Sequence, residues 1–363
     1  MIRKIYLLTI VLTASLLCGC PVHQWPEQKK DDPAIDVPDP EVGTAKGKIH
    51  LRFEPDLWVW EHFYFNTGTG EVREAYPDEN VDGNHPGTTE QYRTLFDHGM
   101  MRYIVNIYLP DNFASPYAEY EFSRNAADGF DCDVDIELEA GDYDIVVWAD
   151  LYEDTVSDLF HDASNFLSVR LLVEDYRANS DYRDGYRGIR RVSVEPTPEG
   201  EMSEYIEIAM RRPMAKFEFI TTDLSEFLDN ELRRTLTRAE VDEYTVVFSY
   251  TGYLPTEYSA IDDSLVDIST GVSFESSITP LESGEASMGF DYVFINDSES
   301  AGVEVKLTVK DKAGEVVAST PSIGVPLRRN HHTILRGEFL SRIASGQIVI
   351  DPEYQGDYNI GKN

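Results

Sequence analysis

Basic side chains are scarce in this 363-residue sequence: 31 Lys and Arg stand against 66 Asp and Glu, a net charge of −35. A field of that sign repels nucleic acid and anionic membrane surfaces and keeps an exposed protein soluble. The acids are spread along the chain, so they belong to solvated strand faces and loops instead of a cation-binding tail. Cysteine is nearly absent. Only Cys18, Cys20 and Cys132 occur, which excludes a disulfide framework and leaves stability to a sizeable core. Cys132 falls on the apolar parity of a strand and reads as a small core residue.

The motifs of catalysis are missing too. There is no Ser nucleophile elbow, no zinc-protease helix and no Gly-rich phosphate loop. The only adjacent histidines, His331 and His332, would point to opposite faces of a strand, so no metal site is assigned. Asp131, Asp133 and Asp135 have the one-three-five spacing of a calcium loop. Such a loop needs Gly at its sixth position and Glu at its twelfth, where this chain has Ile136 and Asp142. Nothing singles out a carboxylate pair for glycoside chemistry. The expectation is a non-enzymatic protein without cofactors.

What is present is β-structure. In Phe130–Asp150, Phe130, Cys132, Val134, Ile136 and Leu138 occupy one parity, while Asp131, Asp133, Asp135, Glu137 and Glu139 occupy the other. A period of two means a strand with one apolar and one wet face. Ala140-Gly141-Asp142 supplies turn chemistry. Tyr143 to Asp150 is apolar on both parities, as in a strand covered on both sides. The stretch predicts an antiparallel hairpin within a β-sandwich.

In chain order, Arg3 and Lys4 precede an apolar run from Ile5 to Leu17 that is too short to span a bilayer and fits a signal-peptide core. Pro21 to Gly43 is rich in Pro, Asp, Glu and Gln and reads as a tether. Alternation over Ile49 to Phe53 marks a first strand, and Leu57 to Phe65 is unusually aromatic. Tyr176 to Gly188 lacks periodicity and reads as a loop. A Pro-containing junction at Arg211-Arg212-Pro213 divides two strand-rich regions. Helical spacing recurs only over Leu224 to Arg238. Short strands separated by Gly, Pro, Asp and Ser turns predict a second all-β sandwich. The organisation expected is a signal segment over 1–19, a tether over 20–46, sandwiches over 47–211 and 212–341, and a tail over 342–363.

Two groups of residues are candidates for contact with a partner, a glycan or a host protein, because aromatics and Arg dominate binding hot spots. One is Trp58, Trp60 and Tyr64. The other is Tyr182, Arg183 and Tyr186. For Trp58 and Trp60 the competing reading is one shared buried strand face. In the tail, Ile348, Val349 and Ile350 form a β-prone run suited to donate a strand.

Leu17-Cys18-Gly19-Cys20 resembles a bacterial lipobox, which implies that Cys20 is the lipidated first residue of the mature protein at a net charge of −37 (−35 less Arg3 and Lys4). Lipid chains would anchor it, each buried methylene contributing about 0.8 kcal/mol. Lys29-Lys30-Asp31-Asp32 resembles the signal that sends lipoproteins of Bacteroidales-type bacteria to the cell exterior. GDYDIVVWAD, RRPMAKFEF and VPLRRNHHTILRGEFL together resemble the fimbrillin-like lipoprotein superfamily. That resemblance implies two tandem transthyretin-like β-sandwich domains and a role in type V pili at the outer membrane, with pilin subunits as partners. In pilins of this group a protease removes the first strand after a basic residue, and a neighbour's strand fills the groove. Here no Arg lies between Cys20 and Arg52, and Lys46 and Lys48 are the only nearby alternatives. The departure favours an anchor or accessory protein that keeps its lipid and first strand. The rival expectation is a stand-alone surface lipoprotein that grips a glycan or host protein through aromatics.

Overall fold

The computed structural model describes residues 44–53, 59–66, 68–75, 99–153, 159–173, 176–195, 202–235, 240–296 and 301–340. Among these residues the regular structure is β, apart from one α-helix (α1, Leu224–Thr235) and three short 3-10 turns. Strands are numbered in chain order. The fold is all-β and sandwich-like.

The first pair of facing sheets sets β1 (Thr44–Phe53), β6 (Cys132–Glu139) and β11 (Met202–Met210) against β4 (Gly99–Tyr108), β5 (Ala118–Asn125), β7 (Gly141–Glu153) and β10 (Gly185–Val194). Their orders are β11-β1-β6 and β10-β7-β4-β5. One buried cluster fills the space between them and includes Ile49 and Leu51 from β1, Val134 and Ile136 from β6, and Tyr103 and Val147 from the facing sheet.

The second pair sets β2 (Val59–Asn66), β3 (Glu71–Glu74), β12 (Met214–Thr221), β17 (Thr279–Pro280), β18 (Ala286–Phe294) and β22 (His331–Gly337) against β13 (Thr245–Tyr250), β16 (Ser273–Ser277), β19 (Ala301–Lys310), β20 (Val316–Ser319) and β21 (Ile323–Leu327). The orders are β17-β18-β12-β22-β2-β3 and β16-β13-β19-β20, with β21 also on β19. Phe217, Phe219, Phe248 and Val305 lie in the second core. A small sheet, β15-β14-β9-β8, joins β8 (His161–Asp162) and β9 (Val169–Leu171) to β14 (Leu254–Ser259) and β15 (Ser264–Ser269).

A third buried cluster packs between these layers. On β7, Tyr143, Ile145, Val147, Ala149 and Leu151 face the first core, while Val146 and Trp148 face Met214, Tyr258, Tyr292 and Phe294 from the second half of the chain. This explains why β7 is apolar on both parities: each face meets a different core.

Several expectations change. Phe130–Asp150 is not a hairpin. β6 shows perfect burial alternation and β7 is buried on both faces, but they belong to different sheets. The turn at Ala140 carries the chain across the sandwich, so both strands point apolar faces into one core instead of pairing edge to edge. Tyr176–Gly188 is a loop only in its first half, since β10 begins at Gly185.

The boundary at Arg211 is crossed as well. β2, from the N-terminal side, pairs in parallel with β22, from Val59 opposite His331 to Phe65 opposite Gly337. Likewise Tyr258 on β14 lies opposite Val169 on β9. Residues 59–74 and 161–171 therefore share sheets with residues beyond 212, and 47–211 is not a self-contained sandwich. Backbone groups at a sheet edge need partners, and here they find them across the expected boundary.

One glycine is demanded by geometry. Gly289 sits at φ +136°, beside the bulge where the β12–β18 register shifts. A Cβ there would lie 2.6 Å from Ser276 Oγ and 3.0 Å from Phe248 Cε2. Gly289→Ala is expected to destabilise the chain by about 1–3 kcal/mol through overpacking and an unfavourable φ. A urea midpoint equal to that of the parent would contradict this.

Candidate functional site

β1 is the central strand of its sheet. It pairs in parallel with β11, from Lys46 opposite Met202 to Phe53 opposite Met210, and antiparallel with β6, from Thr44 opposite Glu139 to Leu51 opposite Cys132. Ile49 and Leu51 are fully buried. The opposite parity carries Lys48, His50 and Arg52 on the wet face. Lys48 Nζ lies 3.5 Å from Asp135 and 3.7 Å from Asp133, and His50 Nδ1 lies 2.7 Å from Asp133 Oδ1. Arg52 reaches Glu207 on β11 at 3.3 Å. Tyr205 on β11 stacks on His50 with ring centroids 5.5 Å apart. The hydrogen bond from His50, with help from Lys48, holds the Asp133 carboxyl below its usual range. β1 thus lies in a slot with an apolar floor and acidic rims.

The sequence carries both halves of this pattern, Lys-x-His-x-Arg and the alternating acids of β6. Their pairing follows only from the register, which composition does not give.

The candidate contact residues fare differently. Arg183 and Tyr186 are buried, at 1% and 2% exposure, so they form no outward recognition surface. Tyr182 is half-buried, packs against the first core and receives a cap from Ser180 Oγ. Tyr64 is half-buried on β2, under the guanidinium of Arg73 at 5.0 Å. The backbone of Trp60 pairs opposite His332, and its side chain lies outside the described residues. Cys20, Trp58, Ile348, Val349 and Ile350 lie outside them altogether.

What buries Arg183 is a set of ion pairs that joins the two sandwiches. Arg183 Nε lies 2.9 Å from Asp291 Oδ1 on β18. Tyr176 and Tyr250 donate to Asp291 Oδ2 at 2.7 and 2.5 Å, and the Arg183 guanidinium covers the Tyr176 ring. Next to it, Asp184 accepts from Arg212 Nε at 2.7 Å and from the Tyr186 hydroxyl at 3.0 Å. Asp181 accepts from Lys216 Nζ at 2.7 Å and from the Tyr292 hydroxyl at 2.5 Å. Three charges within four residues are each matched by a charge from beyond residue 211. Burial alone would raise Asp181, but Lys216 and the Tyr292 hydroxyl hold its carboxyl below the ordinary value. At Asp291 burial prevails and pushes the carboxyl up, against Arg183 and the two tyrosines.

No group of three or more His, Cys, Asp or Glu among the described residues could hold a metal ion. No helix among them is long and apolar enough to cross a membrane.

A family model described as a family of unknown function, DUF6562, matches residues 76–363. The chain belongs to DUF6562. No curated protein matches this DUF6562 chain. Among solved structures, it is similar to the fimbrial anchor protein Mfa2 from Porphyromonas gingivalis at 14% identity and a TM-score of 0.37, over 76% of this chain and 82% of that one. A proposed cell adhesion protein from Bacteroides eggerthii aligns at 13% identity and a TM-score of 0.38, over 85% and 91% of the two chains. A proposed adhesin from Bacteroides ovatus aligns at 12% and 0.37, over 79% of each.

Two outcomes test the charge set. Arg183→Ala strands Asp291 in the interior and is expected to cost about 3–5 kcal/mol in a denaturant melt; a loss below about 1 kcal/mol would show that the pair is not buried as described.

The second concerns His332, which is 2% exposed and lies 3.4 Å from Glu218, with Lys216 opposite it in register. Burial pushes its imidazole from 6.5 down to about 4. Between those values the unfolded chain binds more protons than the folded one, so stability falls as pH drops through the window. His161, wholly buried beside Asp150, is shifted down by burial as well. From pH 7 to 5 the His332 contribution is about 2 kcal/mol. His332→Gln should flatten the slope of stability against pH over that range, and an unchanged slope would refute the assignment.

Proposed function

We propose that this chain is a non-enzymatic surface lipoprotein, held in the outer membrane through Cys20, that serves as an anchor or accessory component of fimbrillin-like pili. It would assemble by pairing strands with partner subunits. The observation that carries the reading is the position of β1. It begins at Thr44, a short tether beyond Cys20, and fills the middle of a sheet with backbone partners on both sides. A chain anchored by its N-terminus and threaded at once into a sheet is fixed to the membrane by an element of its own fold.

The placement of basic residues supports retention of that strand. Arg52 is the penultimate residue of β1, opposite Ala209 on β11. Cutting after it would first require local unzipping of a doubly paired strand. The remaining contact with partners would fall to the tail, where Ile348, Val349 and Ile350 form the β-prone donor. Backbone hydrogen bonds would supply affinity and alternate side chains specificity. Catalysis has no part in this reading.

Purification of the full protein from cross-linked cells, with mass spectrometry of its partners and its own N-terminus, tests it. Fimbrillin-like partners together with a lipidated Cys20 are expected. Ladders of this chain starting beyond residue 47 would make it a pilus subunit instead, and recovery of no pilin would favour a stand-alone ligand binder. Deleting Ser341–Asn363 should abolish partner assembly without unfolding the chain; assembly at the parental level would remove the tail from the mechanism.

A further inference from the structure

We propose that the slot around β1 keeps its own strand by charge: it favours a strand whose apolar residues alternate with Lys, Arg or His, and it rejects the C-terminal segment of a second copy of this chain as a replacement. The inference rests on the reading that β1 is retained and deepens it by naming the chemistry that reserves the slot for this strand.

The rims are acidic on both sides. β6 presents Asp133, Asp135 and Glu137 outward, all exposed or partly so, and β11 presents Glu207. β1 answers them position by position. Lys48 stands opposite Asp135 and His50 opposite Asp133, and Arg52 takes Glu207 from the other side. Opposite charges in cross-strand positions stabilise the pairing and like charges destabilise it. In a chain of net charge −35, Lys48, His50 and Arg52 on alternate positions of one strand are a local reversal of sign.

The tail has the opposite character. From residue 343 to residue 361 there is no Lys, Arg or His, while Asp351, Glu353 and Asp357 are all acidic. If Ile348 and Ile350 filled the apolar floor, Gln347, Val349 and Asp351 would face the rims. If Val349 pointed inward instead, Ile348 and Ile350 would face them. Neither register offers a cation. Discrimination against an unwanted occupant by like charge is a general device of specific interfaces. A second copy's tail would leave Asp133, Asp135 and Glu207 without the cations of β1 and, in the first register, would add Asp351 to the rims, so the chain does not propagate itself through this slot. The tail's own acceptor would belong to a different subunit, whose rims are not acidic.

The test uses the full chain carrying a protease site in the connection between Phe53 and Val59. After cutting, β1 stays in place without a covalent link to β2, and a dye ahead of Thr44 reports its release. Three synthetic peptides compete: residues Thr44–Phe53, the same peptide with K48E/R52E, and residues 343–356. The parental β1 peptide is expected to displace the labelled strand. The K48E/R52E peptide should do so about tenfold less well at about 0.05 M salt, with the gap narrowing at about 0.5 M. The tail peptide should not compete. Displacement by the tail peptide or by the K48E/R52E peptide at the level of the parental peptide would overturn the proposal.

A second arm needs no exchange. In the uncut chain, K48E should lower the thermal midpoint, and K48E/D133K/D135K should recover most of the loss. Absence of recovery would also overturn it. Release of the labelled strand after cutting with no peptide added would count against the retention of β1, and the charge-swap arm would still decide the charge preference of the slot.

Discussion

The fold depends on the buried ion pairs that Arg183 and Asp184 make with Asp291 and Arg212, and on the half-buried pair of Asp181 with Lys216. A charge taken out of water costs several kcal/mol, and a partner in good geometry must offset that cost. With the partners on β12, on β18 and in the connection between the sandwiches, every pair is satisfied only in one relative placement of the two halves. Hydrophobic contacts alone would tolerate sliding, because apolar attraction is not directional. The third core, with Trp148 against Phe294 and Tyr258 stacked on Phe294, supplies area. The ion pairs supply position. Arg102 and Asp150, which also accepts from Trp148 Nε1, form a buried pair of another kind, between cross-strand neighbours on β4 and β7 of one sheet.

The N-terminal stretch adds a backbone connection of the same kind. β1 completes the first sandwich and β2 enters the second, pairing in parallel with β11 and β22. Two consecutive strands therefore tie both halves together within about two dozen residues, and the described residues belong to one compact unit. Any process that extracts β1 must break hydrogen bonds to strands on both sides and uncover Ile49 and Leu51. Its acidic neighbours add a smaller electrostatic contribution, limited by exposure and salt. Shape and backbone pairing hold the strand; charge decides which strand is held.

Legibility in the sequence followed the range of the interaction. β6 shows its apolar and acidic faces in its alternation, because the period of two is a property of one strand. β7 likewise announces burial on both sides. The connection between them does not. A short turn fits both a hairpin and a crossing between sheets, and which one forms depends on what the other strands pair with. The same holds for Tyr182, Arg183 and Tyr186. Tyrosines and arginines crowded into an aperiodic loop look like a recognition surface, and the acids that bury them, above all Asp291, lie far along the chain.

From the sequence alone came the β class, the position of strands such as β1, β6 and β7, the helical stretch that begins at Leu224 and the acidic outer face of β6, since each rests on contacts between near neighbours and on the partition of side chains between water and core. The resemblance of Leu17–Cys20 to a lipobox is likewise a local signal. Only the tertiary structure decided that β1 lies in the middle of a sheet, that β2 belongs with β22, and that the Arg183 loop is an internal clamp. Those outcomes depend on pairing register and on charge partners distant in sequence, from Asp184 with Arg212 to Arg183 with Asp291, and local sequence holds no information about distance in space.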